Sequence, residues 1–158
     1  MYNVAVLTIS DRCSQGLTKD ISGPRIKEII SNLPAEVMQY DIVPDEPPLI
    51  KQKLIAYCDD LKVHLVLTTG GTGLTTRDHT PEVTRDILDR EIPGISERMR
   101  LEGFKSTPNA MLSRGIAGLR DKTLIINLPG SPKGAQESLQ AIMPGLAHGL
   151  DMVLEKEH

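Results

Sequence analysis

His64-Leu65-Val66-Leu67-Thr68-Thr69-Gly70-Gly71-Thr72-Gly73 is the stretch that decides the fold. An apolar run of strand-forming length stops abruptly at glycines, which reads as a buried strand delivered straight into a tight turn. Residues 4–9 (VAVLTI) and 123–127 (TLIIN) have the same continuous apolar character, as strands covered on both faces do. Helical patterns separate these runs. Ile26, Ile29, Ile30 and Leu33 recur on one face after Ser22-Gly23-Pro24, and Ile50, Leu54, Tyr57 and Leu61 do so across residues 49–61. Residues 36–43 return to strand character before the prolines of 44–48 end it.

Beyond the glycines, Thr80-Pro81-Glu82 has the form of an N-cap, a proline in the first turn and an acid suited to the helix dipole. That helix is expected to reach about residue 90, with a shorter one over 95–102. Residues 111–119 read as a strand, the least regular of the set and a candidate for antiparallel pairing. Ser131-Pro132 opens a last helix along Ala135, Leu139, Ile142, Leu146, Leu150 and Val153, which Pro144-Gly145 is expected to break or kink. Alternating strands and helices predict an α/β fold: a three-layer, mostly parallel, doubly wound sheet with at most one antiparallel strand. Neither repeat nor linker interrupts the chain, so residues 1–158 read as one domain.

Aromatic residues make up 3% of the chain and the net charge is −3, which argues against base-stacking or phosphate-tracking nucleic-acid modules. The start of the chain carries neither a basic leader nor a long apolar segment, so no export signal and no membrane span are expected. Cys13 and Cys58 stand in no metal-like spacing and fit a reducing cytoplasm.

In a doubly wound sheet the ligand crevice lies at the carboxyl ends of the strands, so the chemistry is sought in the segments that follow them. Gly70, Gly71 and Gly73 allow positive φ and a close approach of bare N–H groups to an anion, with Thr72 among them; a tight turn without a ligand is the alternative. The continuation supplies a cation, Arg77, a carboxylate, Asp78, and a helix N-terminus. Gly130, Ser131 and Pro132 form a second strand-to-helix turn, readable either as an anion site or as a plain helix cap. Asp45 lies in a Pro-Asp-Glu-Pro turn, where Asp is common for local reasons alone. Ser10 and Asp11 after the first strand are equally open, while His79 reads as a surface residue and Cys13 as a bystander.

Together, Ile9-Ser10-Asp11-Arg12, Asp20-Ile21-Ser22-Gly23-Pro24, Pro44-Asp45-Glu46, residues 69–82 (TGGTGLTTRDHTPE) and residues 127–133 (NLPGSPK) resemble the MogA/MoaB-type family of molybdenum cofactor biosynthesis. The resemblance implies a molybdopterin-binding fold, a homotrimer, and transfer of AMP from ATP to the terminal phosphate of molybdopterin with Mg²⁺, releasing pyrophosphate. It implies Asp45 and Asp78 as the catalytic acids, here assigned to Mg²⁺ and phosphate positioning. Ser10, Asp11, Arg77, the glycine loop and the Ser131 turn fall to ligand binding. A molybdate-insertion enzyme is the implied partner downstream. Some MoaB-branch members lack parts of the acidic set and bind molybdopterin without catalysing transfer; this chain keeps both acids, which favours the catalytic branch.

Overall fold

The computed structural model describes residues 1–156. Strand β1 (Tyr2–Ile9) is followed by a single helical turn, α1 (Asp11–Ser14), then by helix α2 (Ser22–Ile30) and strand β2 (Ala35–Val43). Helix α3 (Pro47–Ile55) continues as a π-helical turn (Ala56–Asp60) and leads to β3 (Leu65–Thr69). Next come α4 (Thr80–Ile87), a two-residue strand β4 (Arg90–Glu91), α5 (Pro93–Phe104) and a 3₁₀ turn (Pro108–Leu112). Strands β5 (Ala117–Arg120) and β6 (Thr123–Leu128) and the long helix α6 (Pro132–Val153) complete the chain.

The strands form one sheet in the order β2-β1-β3-β6-β5-β4. β2, β1, β3 and β6 run parallel, and β5 pairs antiparallel with both β6 and β4. Because strand side chains alternate between faces, each strand feeds two cores. Val4, Val6, Leu65, Leu67, Leu124 and Ile126 pack against Ile26 and Ile30 of α2 and Leu139 and Leu146 of α6. Ala5, Leu7, Ile9, Val66 and Ile125 face the other way, toward Ile50 and Leu54 of α3 and Val83 and Ile87 of α4. Each fully buried Leu or Ile contributes about 1.5–3 kcal/mol relative to an exposed one, so these continuous apolar strands are the main source of the fold's stability.

The three-layer sheet and its antiparallel strand match the expectation, whereas several boundaries differ for identifiable reasons. The segment expected as a strand over 111–119 is mostly something else. Pro108 starts a 3₁₀ turn that Thr107 caps by accepting from the Asn109 N–H at 3.2 Å, and only Ala117–Arg120 reaches the sheet. Met111 and Leu112 stay exposed, so the apolar letters that suggested a strand do not pack on β6. Helix α4 stops at Ile87 rather than near residue 90, because Leu88 turns extended and the Asp89 N–H is captured by the Leu119 carbonyl at 2.7 Å. Residues 11–14, directly after β1, form the turn α1, capped by Ser10. Pro144 does not break α6. It lies on the solvent side of the helix together with exposed Gln140, whose carbonyl a proline four residues on cannot serve, while Leu139, Ile142, Leu146 and Leu150 hold the other side to the sheet. Among the described residues no helix is long and apolar enough to cross a membrane.

Candidate functional site

β1 lies between β2 and β3, and the crossovers on its two sides cover opposite faces of the sheet, so the strand order reverses beside it. The carboxyl ends of β1 and β3 therefore open onto the crevice such a reversal creates. Glycines let the neighbouring turns close in on it. Gly70 has φ +104°, and a Cβ there would lie 2.1 Å from the Ile9 carbonyl oxygen. Gly130 approaches from β6, where a Cβ would stand 3.3 Å from the Gly70 Cα. Side-chain hydroxyls fasten these turns. Thr69 donates to the Pro129 carbonyl at 2.6 Å, and Ser22 donates to the Gly130 carbonyl at 2.9 Å.

Gly71 also has positive φ, +71°, whereas Gly73 does not. Thr80, expected as an N-cap, is instead the first residue of α4, and His79 takes the cap position without a side-chain bond. The buried Thr80 hydroxyl donates to the Gly70 carbonyl at 2.9 Å, and its N–H donates to the Gly71 carbonyl at 3.1 Å. The helix start is thus tied to the glycine loop rather than capped.

The acids arrive from separate turns. Asp11 and Asp45 brace each other: the Asp11 N–H donates to Asp45 Oδ2 at 3.0 Å, and the Asp45 N–H donates to Asp11 Oδ1 at 2.9 Å. Arg77 grips Asp11 with two bonds, Nε to Oδ2 at 3.1 Å and Nη2 to Oδ1 at 2.9 Å, and reaches Glu46 at 3.0 Å. That guanidinium holds the Asp11 carboxyl below its usual range. Asp45 goes the other way. Burial pushes its carboxyl up, and the nearby Asp11 and Asp78 charges add to the rise against the Asp11 backbone bond and the Arg77 charge. Asp78 folds back on its own loop, where its Oδ2 accepts from the Thr75 N–H at 2.9 Å and hydroxyl at 2.8 Å. Gly71 and Gly73 leave room for the two carboxylates: a Cβ at Gly71 would stand 3.3 Å from Asp45 Oδ1, and one at Gly73 2.9 Å from Asp78 Oδ2.

Two hollows flank this loop and share Gly71, Asp78 and Gly130 as a common wall. The first, about 400 Å³, runs under α5 and the N-terminus of α6, past Thr72, Gly73, Met99, Arg100, Ser113 and Ser131. The second, about 420 Å³, lies over the end of β1, past Thr8, Ser10, Asp20, Asp45, Gly70 and Pro132. The structure thus gathers most of the residues expected from sequence around one partition. Asp11 and Arg77 border neither hollow and act as braces behind Asp45. Two hydroxyls are already in use as helix caps: Ser10 accepts from the Cys13 N–H at 3.1 Å, and Ser131 from the Gly134 N–H at 3.1 Å.

One further residue was quoted from the sequence without a role, and another escaped it. Asp20 accepts from the Thr8 hydroxyl at 2.7 Å, the Gly23 N–H at 3.2 Å and the Tyr40 hydroxyl, forming a floor to the second hollow. The spacing Asp20-x-x-Gly23 ahead of a helix was an available signal for it. Arg114 donates to the Gly73 carbonyl at 2.7 Å, the Asp78 carbonyl at 3.0 Å and the Glu82 carboxylate. No local pattern marks Arg114, because its partners lie more than thirty positions away. Cys13 borders the second hollow, and burial pushes the Cys58 thiol up to about 11.

Strand-end glycine turns, paired acids and two hollows sharing a wall define a doubly wound protein with its crevice at the carboxyl ends of β1 and β3. The family model described as "Probable molybdopterin binding domain" matches residues 5–148, and the chain belongs to that family. It is 44% identical over 154 residues to the molybdopterin adenylyltransferase of Helicobacter pylori strain J99, covering 96% of this chain and 88% of that protein. It is 45% identical over 163 residues to gephyrin of Dictyostelium discoideum, spanning 97% of this chain but 23% of gephyrin. The crystal structure of the molybdopterin biosynthesis enzyme MoaB from Thermus thermophilus superposes with a TM-score of 0.94 at 52% identity, covering 99% of this chain and 98% of that one.

Proposed function

We propose that this protein is a molybdopterin adenylyltransferase. An oxygen of the terminal phosphate of molybdopterin attacks the α-phosphorus of ATP, a phosphoanhydride bond forms, and the bond to the β-phosphate breaks with pyrophosphate leaving on its own electrons. No proton need move, since both phosphates are ionised at neutral pH. The observation that carries this reading is the shared wall of the two hollows, which would let two phosphorylated ligands meet at Asp45, Asp78 and the glycine loop.

Two polyanions approaching three carboxylates need a cation. Among the described residues no cluster of three or more His, Cys, Asp or Glu side chains is arranged around a metal position. The donor set nevertheless suits Mg²⁺, which prefers oxygen, keeps water, and commonly takes one or two carboxylates plus substrate phosphates. Asp45 and Asp78 would hold it, and its chemistry would be to neutralise the polyphosphate charge. The glycine-loop N–H groups and the N-terminus of α6 would orient the phosphates.

The decisive assay is pyrophosphate release with ATP and Mg²⁺, with and without molybdopterin. Release that requires the pterin is the expected result; binding without release would make the chain a non-catalytic molybdopterin-binding protein. Asp78→Asn should keep pterin affinity and slow transfer by about two orders of magnitude, the usual cost of one preorganised electrostatic group. A wild-type rate at low Mg²⁺ would take Asp78 out of the mechanism.

The further expectations of a cytoplasmic homotrimer that hands its product to a molybdate-insertion enzyme belong to the same proposal. Both cysteines are free thiols, in keeping with a reducing compartment. Leu101, Phe104, Met111 and Leu112 are exposed on α5 and the turn after it, an apolar surface that a second subunit could cover. A monomer by light scattering at micromolar concentration would remove the trimer.

A further inference from the structure

The loop that carries Asp78 is held at both of its ends by one side chain. Leu74, Thr75, Thr76 and Arg77 are exposed, and the bonds of the Asp78 carboxylate run to Thr75 inside the same loop. Those bonds shape the loop but do not fix it to the rest of the molecule. Arg77 ties its exposed side to Asp11 and Glu46, and Arg114 holds its two ends. Its Nε donates to the Gly73 carbonyl at 2.7 Å and its Nη2 to the Asp78 carbonyl at 3.0 Å, so one planar guanidinium spans the loop's entry and exit. Its own N–H donates to the Thr72 carbonyl at 2.9 Å, pinning the same loop a residue earlier. Its third partner, Glu82, is 53% exposed, and an ion pair of that kind adds little by itself.

The strap that bears Arg114 is itself tied to its surroundings. Arg100 Nη1 donates to the carbonyls on either side of it, Ser113 at 3.3 Å and Gly115 at 3.2 Å. Gly115 is pressed against β6, where a Cβ would stand 3.0 Å from the Asn127 carbonyl oxygen. The loop is therefore referenced, through Arg114, to the sheet.

We infer that Arg114 is a positioning residue, which sets the backbone of Asp78 so that its carboxylate faces Asp45 across the glycine loop. The inference rests on the adenylyl-transfer reading for its catalytic consequence, but not for the loop clamp itself. A lysine cannot replace the fork, because an ammonium on a flexible stem does not span two carbonyls with fixed geometry. The control is Arg120, which grips the Asp59 carboxylate and the Ile87 carbonyl in the same manner but away from the acids.

The experiment compares Arg114→Gln, Arg114→Lys and Arg120→Gln with the wild type. Amide exchange of the ligand-free proteins is read over residues 73–82, and single-turnover transfer is read across a Mg²⁺ titration. Both Arg114 variants should exchange this loop at least about tenfold faster, lose about a hundredfold in transfer rate and need more Mg²⁺ for half-maximal rate. Pterin and ATP affinities should stay within about threefold, as expected when positioning rather than binding is lost. Arg120→Gln should lower the melting temperature and change none of these. The inference is overturned by unchanged loop exchange, by an unchanged Mg²⁺ midpoint, by lost pterin affinity at an unchanged rate, or by the same effects from Arg120→Gln. If the wild type itself releases no pyrophosphate, the functional reading fails instead, and the exchange comparison alone decides the clamp.

Discussion

Four glycines with different surroundings let the structure be tested by a graded series of alanine substitutions. At Gly94 an added Cβ would meet nothing within 4 Å and φ is not positive, so alanine in the first turn of α5 should stabilise, by up to about 1 kcal/mol. Gly16 has equally open space but φ +74°. Its alanine meets only the left-handed strain of about 1–2 kcal/mol, partly offset by the entropy it removes from the unfolded chain. Gly71 has φ +71°, and its Cβ would stand 2.2 Å from the Thr80 hydroxyl. Turning that hydroxyl away strips the Gly70 carbonyl of its donor, which adds about 1–3 kcal/mol to the strain. Gly70 is the extreme. Its Cβ would lie 2.1 Å from a backbone oxygen at φ +104°, and the obstacle cannot rotate. β1 and β3 would have to part where Thr8 pairs with Thr69, at about 4 kcal/mol or more. Urea midpoints at constant m-value read the series directly, and about 2–4 °C of melting temperature should accompany each kcal/mol. The expected order of stability is Gly94→Ala, Gly16→Ala, Gly71→Ala, Gly70→Ala. A Gly70→Ala protein within about 1 kcal/mol of Gly16→Ala would refute the close approach of the strand ends.

Two further outcomes follow from the site. Asp45→Asn should raise the melting temperature of the ligand-free protein at neutral pH while impairing transfer. A carboxyl whose folded pKa is raised binds more protons folded than unfolded, so stability falls as pH rises through its folded pKa and returns as pH falls toward the unfolded value. The gain from Asp45→Asn should accordingly vanish in acid, and melting curves from about pH 4 to 8 that run parallel for the two proteins would contradict it. Ser131→Ala should cost about 1 kcal/mol, the loss of the N-cap bond to Gly134, with pterin and ATP affinities little changed; a tenfold affinity loss would mean that the hydroxyl serves a ligand as well.

What the sequence made legible was whatever is written in contiguous residues. The apolar runs before Ser10, Gly70 and Pro129 are strands because a strand buried on both faces has no polar alternation to confuse the reading. The run before Gly70 pointed to Asp78, and the strand character of residues 36–43 pointed to Asp45. The roles of the glycines were only half visible. Composition suggested an anion cradle, yet Gly70 is first of all a packing glycine against Ile9, and Gly71 makes room for Thr80 and Asp45. Long-range polar contacts were invisible. Arg77 looked free for phosphate, but its guanidinium is occupied by Asp11 and Glu46, and nothing near Arg114 in sequence announces Gly73 or Asp78. Local propensity also misjudged residues 111–116, where Pro108 and the Thr107 cap outweigh apolar letters.

The electrostatics of the free site explain why it is built this way. Asp11, Asp45 and Asp78 converge where the proposed ligands would bring still more negative charge, an arrangement that costs stability unless something positive answers it. Arg77 answers for Asp11, whose carboxyl its guanidinium draws down, whereas burial pushes the half-buried Asp45 carboxyl up and the Arg77 charge offsets only part of that rise. A carboxylate held in an unfavourable ionised state has more to gain from a cation than a well-paired one, since the same interaction energy is not already spent on an arginine. The brace therefore divides the labour between two acids one hydrogen bond apart. Asp11 fixes the Asp45 backbone and is satisfied within the protein; Asp45 keeps one backbone donor and only part of the Arg77 charge, and it borders the second hollow. On this account Arg77 contributes to the proposed transfer by holding Asp11, which braces the Asp45 backbone, while its charge offsets only part of the burial cost of Asp45.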